Sequence, residues 1–481
     1  AIHYMGHVGM MAAAQPFISG AISKCVVGDT LITTEDGLIR IDSLHEDESP
    51  DTFRDHVIKV ASLDGMQKTD AFYYGGVRPV REVVLRSGHR VTGTPNHRLL
   101  VATDAGLEWR MLHDIEPGDH VAQRYGAELW SQLPVRFDDF APSAPYGSQK
   151  AVTLPTEMTG ELAFLLGAFV AEGHIARSTW TTTITNADQG VLERVAAAFE
   201  SQFGVQARIV HPQDRCSSVI VASKTIVELL TWLGCGEGAA NKRIPDAVLR
   251  SPRDMVLAFV QGLALDAYTT TMGSTPKWAI CVESGGLLDD LQAVLTNLGI
   301  VHSRITKHNR EYDKDYDEVY ASGEHARHLI RLIPFAEQDK AARAQELLSL
   351  LPSQSTADVV PGITPGQLEA LIPYGTRNDR GELLRTEFAF LGDRRTKHVS
   401  WTTLERVAAI PGVELPDWLW QVVEDGLHFS PVSSIEDAGE REVYDISVPG
   451  PHAFVANGIV NHNTVNLPEE ATIEDVEQLH L

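Results

Sequence analysis

The period of the sequence changes twice, and this constrains the fold more than any single motif. From residue 25 to about 150, short runs alternate apolar and polar residues. They include "TLITTEDGLIRIDSL", "VIKVASLDG", "AFYYGGVRPVREVVLRSGHRVTGT" and "HRLLVATDAGLEWRMLHDIEPGDHVAQ". Asp36-Gly37, Asp64-Gly65, Gly75-Gly76, Ser87-Gly88 and Pro117-Gly118 punctuate these runs. Alternation is the two-residue period of a strand with one buried face, and such dipeptides read as turns. From about 155 the spacing becomes helical in "TGELAFLLGAFVAEG" and "DQGVLERVAAAFESQFG", with strand-like runs such as "TWTTTITNA" between. At about 429 the strand pattern returns in "FSPVSSIEDAGEREVYDISVPGPHAFVANGIV". The expected architecture is a curled all-β domain, interrupted by an α/β insert and completed by its own late strands.

The insert has a weak internal repeat. The order helix, strands, helix recurs in "PRDMVLAFVQGLALDA", "KWAICVES", "GGLLDDLQAVLTNLGI" and "DEVYASGEHARHLIRLI". Residues 346–428 read as a further helical module, with "TPGQLEALIP" and "SWTTLERVAAIPG" flanking a basic segment. With 481 residues, 43% of them hydrophobic, the chain is large enough for several cores. A formal charge of −25 argues against a protein that coats DNA in general. Any DNA contact needs a local basic surface. The candidate is Arg377, Arg380, Arg385, Arg394, Arg395 and Lys397, which reads equally well as a solvated loop face. Cys25, Cys216, Cys235 and Cys281 are spaced for neither a zinc site nor a disulfide framework, so a reducing cytoplasm is expected. No apolar run reaches the length of a membrane span, and no secretion leader is visible. The first residue is Ala, so the chain reads as a piece of a longer protein.

The edges of the β text carry nucleophiles. Cys25 can attack the carbonyl of Lys24 and convert the peptide to a thioester, with the nucleophile already tethered to its substrate. Thr464 can take the acyl group onto its hydroxyl. Asn463 can close its side-chain amide onto its own carbonyl and cut the chain, with His462 moving protons near neutral pH. At these residues the sequence resembles an intein, the protein-splicing family with a horseshoe-like Hint fold. "CVVGDTLI" matches the start, "GTPNHRLL" supplies Thr94 and His97, and "VYDISVPGPHAFVANGIVNHN" supplies Asp445, His452, His462 and Asn463. The resemblance implies that Thr94 and His97 polarise and protonate the scissile amide. It implies that Asp445 assists the acyl transfers and that both His residues support Asn463 cyclisation. It divides the chain into a splicing domain over 25–150 and 429–463, needing no cofactor, with flanking exteins 1–24 and 464–481 as substrate. A domain that cleaves without ligating, as hedgehog-type domains do, is an alternative, against which Asn463 followed by Thr464 argues. A DNA-binding or DNA-cutting protein with the β domain as scaffold is another.

Within 155–345, "LLGAFVAEG" (Leu165 to Gly173) resembles the first signature of a LAGLIDADG homing endonuclease. That family needs a small residue where two helices touch, here Gly167, and an acid at the helix end, here Glu172, to hold Mg²⁺. The second copy is "VQGLALDAY", with Gly262 in place. Its acid departs from the pattern, because the metal position counted from Gly262 falls on Ala267 and Asp266 comes one residue early. Either a local bulge brings Asp266 into position or one half-site is dead. Lys242 in "NKRIP" matches a DNA or active-site lysine. The implied partner is double-stranded DNA of the uninterrupted host gene, bound by a monomer. Joining residue 24 to 464 yields "QPFISGAISKTVNLP", which resembles adenosylcobalamin-dependent (class II) ribonucleotide reductase. Adenosylcobalamin would serve only the complete reductase.

Overall fold

The computed structural model describes residues 24–143, 152–235, 238–310, 313–350, 358–377, 381 and 383–464. The host-like segments 1–23 and 465–481, and Arg380 of the basic segment, lie outside the described residues. Early and late strands form one 14-stranded sheet. Strand Val26–Val27 lies between Arg90–Gly93 and the 21-residue strand Leu427–Ser447, with Val26 opposite both Gly93 and Tyr444. Strand Ile459–His462 pairs with Ala453–Ala456, and its Asn461 sits opposite Leu99 of strand Arg98–Thr103. Ala453–Ala456 in turn reaches Leu31–Thr34. Neither end of the splicing text can therefore complete a sheet without the other. The inward faces of these strands build a continuous core that includes Val26, Phe72, Val101, Ile446 and Phe454.

Four of the five expected turns hold, with positive φ at Gly37, Gly65, Gly88 and Gly118. The expected turn at Gly75-Gly76 is not one, since both glycines lie inside the 15-residue strand Ala71–Leu85. Gly75 is itself the extra residue of a β-bulge, since Val443 pairs with Gly76 and the next partner residue, Tyr444, pairs with Tyr74. A Cβ on Gly75 would lie 2.8 Å from Val443 and 3.3 Å from the Cys25 thiol. Gly75 is required there because the Val443 side chain occupies the space, with the Cys25 thiol and the Tyr73 ring next to it, and not because the chain reverses.

The insert carries two four-stranded antiparallel sheets with the same strand order. In each unit a helix leads into the sheet and two more helices follow within it. The two leading helices, Gly160–Glu172 and Arg253–Leu263, pack against each other at their glycines. A Cβ on Gly167 would lie 2.0 Å from the Phe259 carbonyl oxygen, and one on Gly262 would lie 2.2 Å from that of Phe164. The insert is also docked on the splicing sheet. Fully buried Asp290 accepts hydrogen bonds from Arg40 of the sheet, from Arg243 and from the Ile244 N–H. The helical module, with Leu404, Val407, Leu419 and Val422 inward, covers Leu100, Ala122, Phe429 and Val460 of the sheet.

Backbone contact at the paired glycines leaves no room for a methyl group, and overpacking costs about 1–3 kcal/mol or more. Gly167→Ala is expected to lower denaturant-unfolding stability by about that amount, whereas Gly160→Ala, which meets nothing within 4 Å, is expected to be neutral.

Candidate functional site

The interleaved strands bring the two edges of the inserted text into one buried pocket. The Lys24 backbone N–H donates to Thr464 Oγ1 at 2.7 Å, across 440 positions. Asp445, on the strand just past the bulge, accepts the Thr464 N–H on Oδ2 at 2.5 Å and the Ile446 N–H on Oδ1 at 2.8 Å. Cys25 is buried beside Val27, Tyr73 and Val443. Its N–H donates to Thr94 Oγ1 at 3.2 Å, and Thr94 N–H returns a bond to the Cys25 carbonyl at 2.9 Å. His97, one turn further on, places Nδ1 2.8 Å from the Lys24 carbonyl oxygen. Its Nε2 lies 2.8 Å from Asn461 Oδ1.

The other edge meets the same pocket. His462 Nδ1 lies 2.8 Å from the Asn463 carbonyl oxygen, and the Lys24 ammonium stands 3.3 Å from the same nitrogen. The Asn463 side-chain amide donates to the Thr464 carbonyl at 2.5 Å, and its Oδ1 is buried without a hydrogen-bond partner. His452 touches Asn463 through its backbone, accepting the Asn463 N–H at 3.0 Å. Its ring lies parallel to that of His462, 6.2 Å away. Trp109 packs edge-on against His462 at 4.9 Å.

Burial dominates the ionisation of this pocket. It pushes the Asp445 carboxyl up to about 8, against the Thr464 hydrogen bonds and the Lys24 charge, which pull it down. It brings the Lys24 ammonium down to about 8, helped by Arg98 and opposed by Asp445. It lowers His462 to about 3, with the Lys24 charge as the next cause. His462 is thus neutral at physiological pH; as the Nδ1–H tautomer it donates to the Asn463 carbonyl, and as the other tautomer it accepts from the Lys24 ammonium.

Known proteins match most of this chain. The intein splicing domain family matches residues 32–463. The chain belongs to that family. It is 26% identical over 475 residues to a DNA gyrase subunit of Mycolicibacterium flavescens, covering 92% of this chain and 77% of the relative. It is also 26% identical over 487 residues to the replicative DNA helicase DnaB of Rhodothermus marinus, covering 92% and 46%. Among solved structures it aligns with a mutant of the Ssp DnaB mini-intein variant M86, with a TM-score of 0.26 and 10% identity, over 92% of this chain and 99% of that one.

This intein has a second cluster of ionisable groups, at the ends of the paired helices of its insert. Asp266 is not carried there by a bulge. The first helix stays α-helical through Glu172, whereas the second ends at Leu263 and tightens into a 3₁₀ turn over Ala264–Asp266. A 3₁₀ turn rises about 2.0 Å per residue against about 1.5 Å in an α-helix, so four steps from Gly262 climb as far as five from Gly167. The shortened copy therefore still delivers its acid. The Asp266 carboxyl hydrogen-bonds that of Glu172, and burial followed by Asp266 raises Glu172 to about 7. Lys242 Nζ donates to the carbonyls of Ala171 and Gly173, each at 3.2 Å. Lys340, which no sequence motif marks, does the same at the other helix, donating to the Leu265 carbonyl at 2.6 Å. It is hidden in the sequence because it opens a helix, Gln338–Leu348, beyond the recognisable repeat. No group of three or more His, Cys, Asp or Glu suited to a metal occurs among the described residues.

The basic candidates are remote from both centres in sequence and are exposed. Arg394, Arg395 and Lys397 face solvent, with Arg395 paired to Asp393. Arg377 donates to the Gly381 carbonyl, and Arg385 lies over the exposed ring of Tyr374 at 5.7 Å. No described helix is long and apolar enough to cross a membrane.

Arg98 and Asn461, which lie inside the matched motifs at positions given no role, and Trp109, which lies outside them, also touch or face the splicing pocket. Lys24 exerts its effect on His462 through charge. Lys24→Met in the Cys25→Ala, Asn463→Ala chain is expected to raise the His462 titration midpoint, still below the ordinary 6.5 because burial persists. Histidine ¹⁵N NMR against pH measures it.

Proposed function

We propose that this intein excises residues 25–463 and joins Lys24 to Thr464. The Cys25 sulfur attacks the Lys24 carbonyl, the Lys24–Cys25 C–N bond breaks, and a thioester and the Cys25 amine result. His97 and Thr94 hold the two sides of that peptide. The Thr464 hydroxyl then attacks the thioester, loses its proton to Asp445 and returns the sulfur as a thiol. The Asn463 amide nitrogen attacks its own carbonyl, which His462 polarises, forming a succinimide and freeing the Thr464 amine. That amine displaces its own ester oxygen from the Lys24 carbonyl and leaves a peptide bond. The observation that carries the reading is the 2.7 Å contact between Lys24 and the Thr464 hydroxyl within one buried pocket. Such placement converts acyl transfer between remote residues into an effectively unimolecular step. His452 acts by holding Asn463 through its carbonyl.

Asp445 must be ionised to accept the proton, so transfer to Thr464 should accelerate as pH rises towards about 8 and level off beyond it. In an Asn463→Ala chain, where the branched ester accumulates, Asp445→Asn is expected to slow its formation about 10²-fold or more and to abolish that rise. Electrophoresis of quenched samples follows the branched species. The steps are wrong if Cys25→Ala combined with Asn463→Ala still yields ligated product.

The insert supports a second activity of another class, site-specific cleavage of double-stranded DNA by a LAGLIDADG-type homing endonuclease. Two adjoining carboxyls, each raised by burial, with Glu172 raised further by Asp266, and backed by two lysines, fit a hard divalent cation, and Mg²⁺ takes few protein ligands beside substrate phosphates. Glu172 and Asp266 would hold the ion, which would supply Lewis-acid activation of a DNA phosphate. Lys242 and Lys340 hold the helix ends, and the exposed Arg377–Lys397 face would contribute phosphate contacts. The host reading, a class II ribonucleotide reductase, rests on the residues that flank the excised block. Glu172→Gln is expected to abolish Mg²⁺-dependent cutting of DNA carrying the uninterrupted junction while splicing continues. Equal cutting by parent and variant contradicts the assignment.

A further inference from the structure

We infer that Asn461 is a positioning residue that raises the proton affinity of His97, so that the pocket can hold an acid against the Lys24 carbonyl. The inference rests on the reading of Lys24–Cys25 as the scissile peptide.

Both ring nitrogens of His97 face oxygens. Nδ1 meets the Lys24 carbonyl and Nε2 meets Asn461 Oδ1, each at 2.8 Å. A carbonyl oxygen only accepts. The Asn461 amide could in principle turn its NH₂ towards the ring, but its Nδ2 already donates to the Ile459 carbonyl at 2.8 Å and the Ala456 carbonyl at 3.3 Å. Turning it would set Oδ1 against both of those oxygens. The carbonyls belong to the strands on either side of the Asn457-Gly458 turn, which fixes them. A neutral imidazole of either tautomer therefore leaves a lone pair facing an oxygen at 2.8 Å. Only the imidazolium donates at both ends.

Two effects oppose the charge, complete burial first and the Lys24 ammonium, and they outweigh the hydrogen bonds, holding His97 below its ordinary 6.5. Both hydrogen bonds favour the charge. Among the described residues Lys24 is the charged group acting on the ring; Arg98 and Asp445 act on Lys24 in turn. Removing the Asn461 acceptor tips this balance towards neutral imidazole. The proton matters to the acyl shift because the breaking C–N bond leaves an amine nitrogen on Cys25. His97 supplies the proton that nitrogen needs and regains the one the Cys25 thiol releases, so the step is balanced. Asn461 touches none of the reacting atoms and works through His97.

The test uses the full chain carrying Asn463→Ala, in which added dithiothreitol releases the segment ending at Lys24 from the thioester. Rates are taken from about pH 4 to 9.5, each variant relative to its parent at the same pH so that the titration of the reagent cancels. Asn461→Leu keeps the shape and removes the acceptor; the alkaline fall in rate is expected about one pH unit lower, a roughly tenfold loss on that limb. Asn461→Asp replaces the acceptor by a carboxylate and is expected to move the fall upward. The His97 ¹⁵N titration should shift in the same directions, which loss of packing alone would not produce. Unchanged limbs and unchanged His97 titration in both variants overturn the inference. If Asn461→Leu does not fold, Asn461→Asp decides alone. Continued thiol release from Cys25→Ala would instead reject the scissile-bond reading, whatever Asn461 does.

Discussion

A single hydrogen bond, from the Lys24 N–H to the Thr464 hydroxyl, joins residues 440 positions apart and sets the demands on everything else. Two ends of a long chain meet only if the elements carrying them are covalently or topologically obliged to meet. Here the obligation is a sheet whose neighbours come alternately from residues 26–124 and 427–462. The first strand is two residues long and flanked on both sides, so its position is dictated by its partners. Backbone groups left unpaired in a buried strand would each cost about 1–3 kcal/mol, and this enforces the interleaving.

The pocket is buried, and burial accounts for its unusual ionisation. A carboxyl raised to about 8, a lysine lowered to about 8 and a histidine lowered to about 3 lie within one cluster. Each departs in the direction that removes net charge from a low-dielectric interior. The insert's carboxylate pair follows the same logic, since burial raises both acids. The two centres differ in what relieves them. Under the proposed function, the splicing pocket would be relieved by its own bond rearrangements, and the carboxylate pair by a cation.

The β, α/β, β succession was legible because period and turn chemistry are local. The edges were legible because Cys25, Thr94, His97, Asp445, His462 and Asn463 fall in ordered motifs. What escaped was the part made by tertiary packing. Gly75-Gly76 looks like a turn and is a bulge whose bare Cα makes room for Val443 and the Cys25 thiol. Asp266 looks misplaced by one residue, and a 3₁₀ turn restores its height along the helix. Asn461 reads as one more polar residue in a strand, and its role comes from which two carbonyls hold its amide. Lys340 mirrors Lys242 only once both helices are seen end-on, through their carbonyl contacts. Residue type and spacing report a site's reacting groups, and the shells that orient those groups depend on long-range register.

The most direct measurement is tandem mass spectrometry of the peptide spanning the junction after expression of the full chain at neutral pH. The account predicts a continuous "AISKTVNLP" fragment series, with Lys24 amide-bonded to Thr464, alongside a released block that begins at Cys25 and ends in a succinimide or Asn463. Only uncut chain, or flanks released without a Lys24–Thr464 bond, would contradict it.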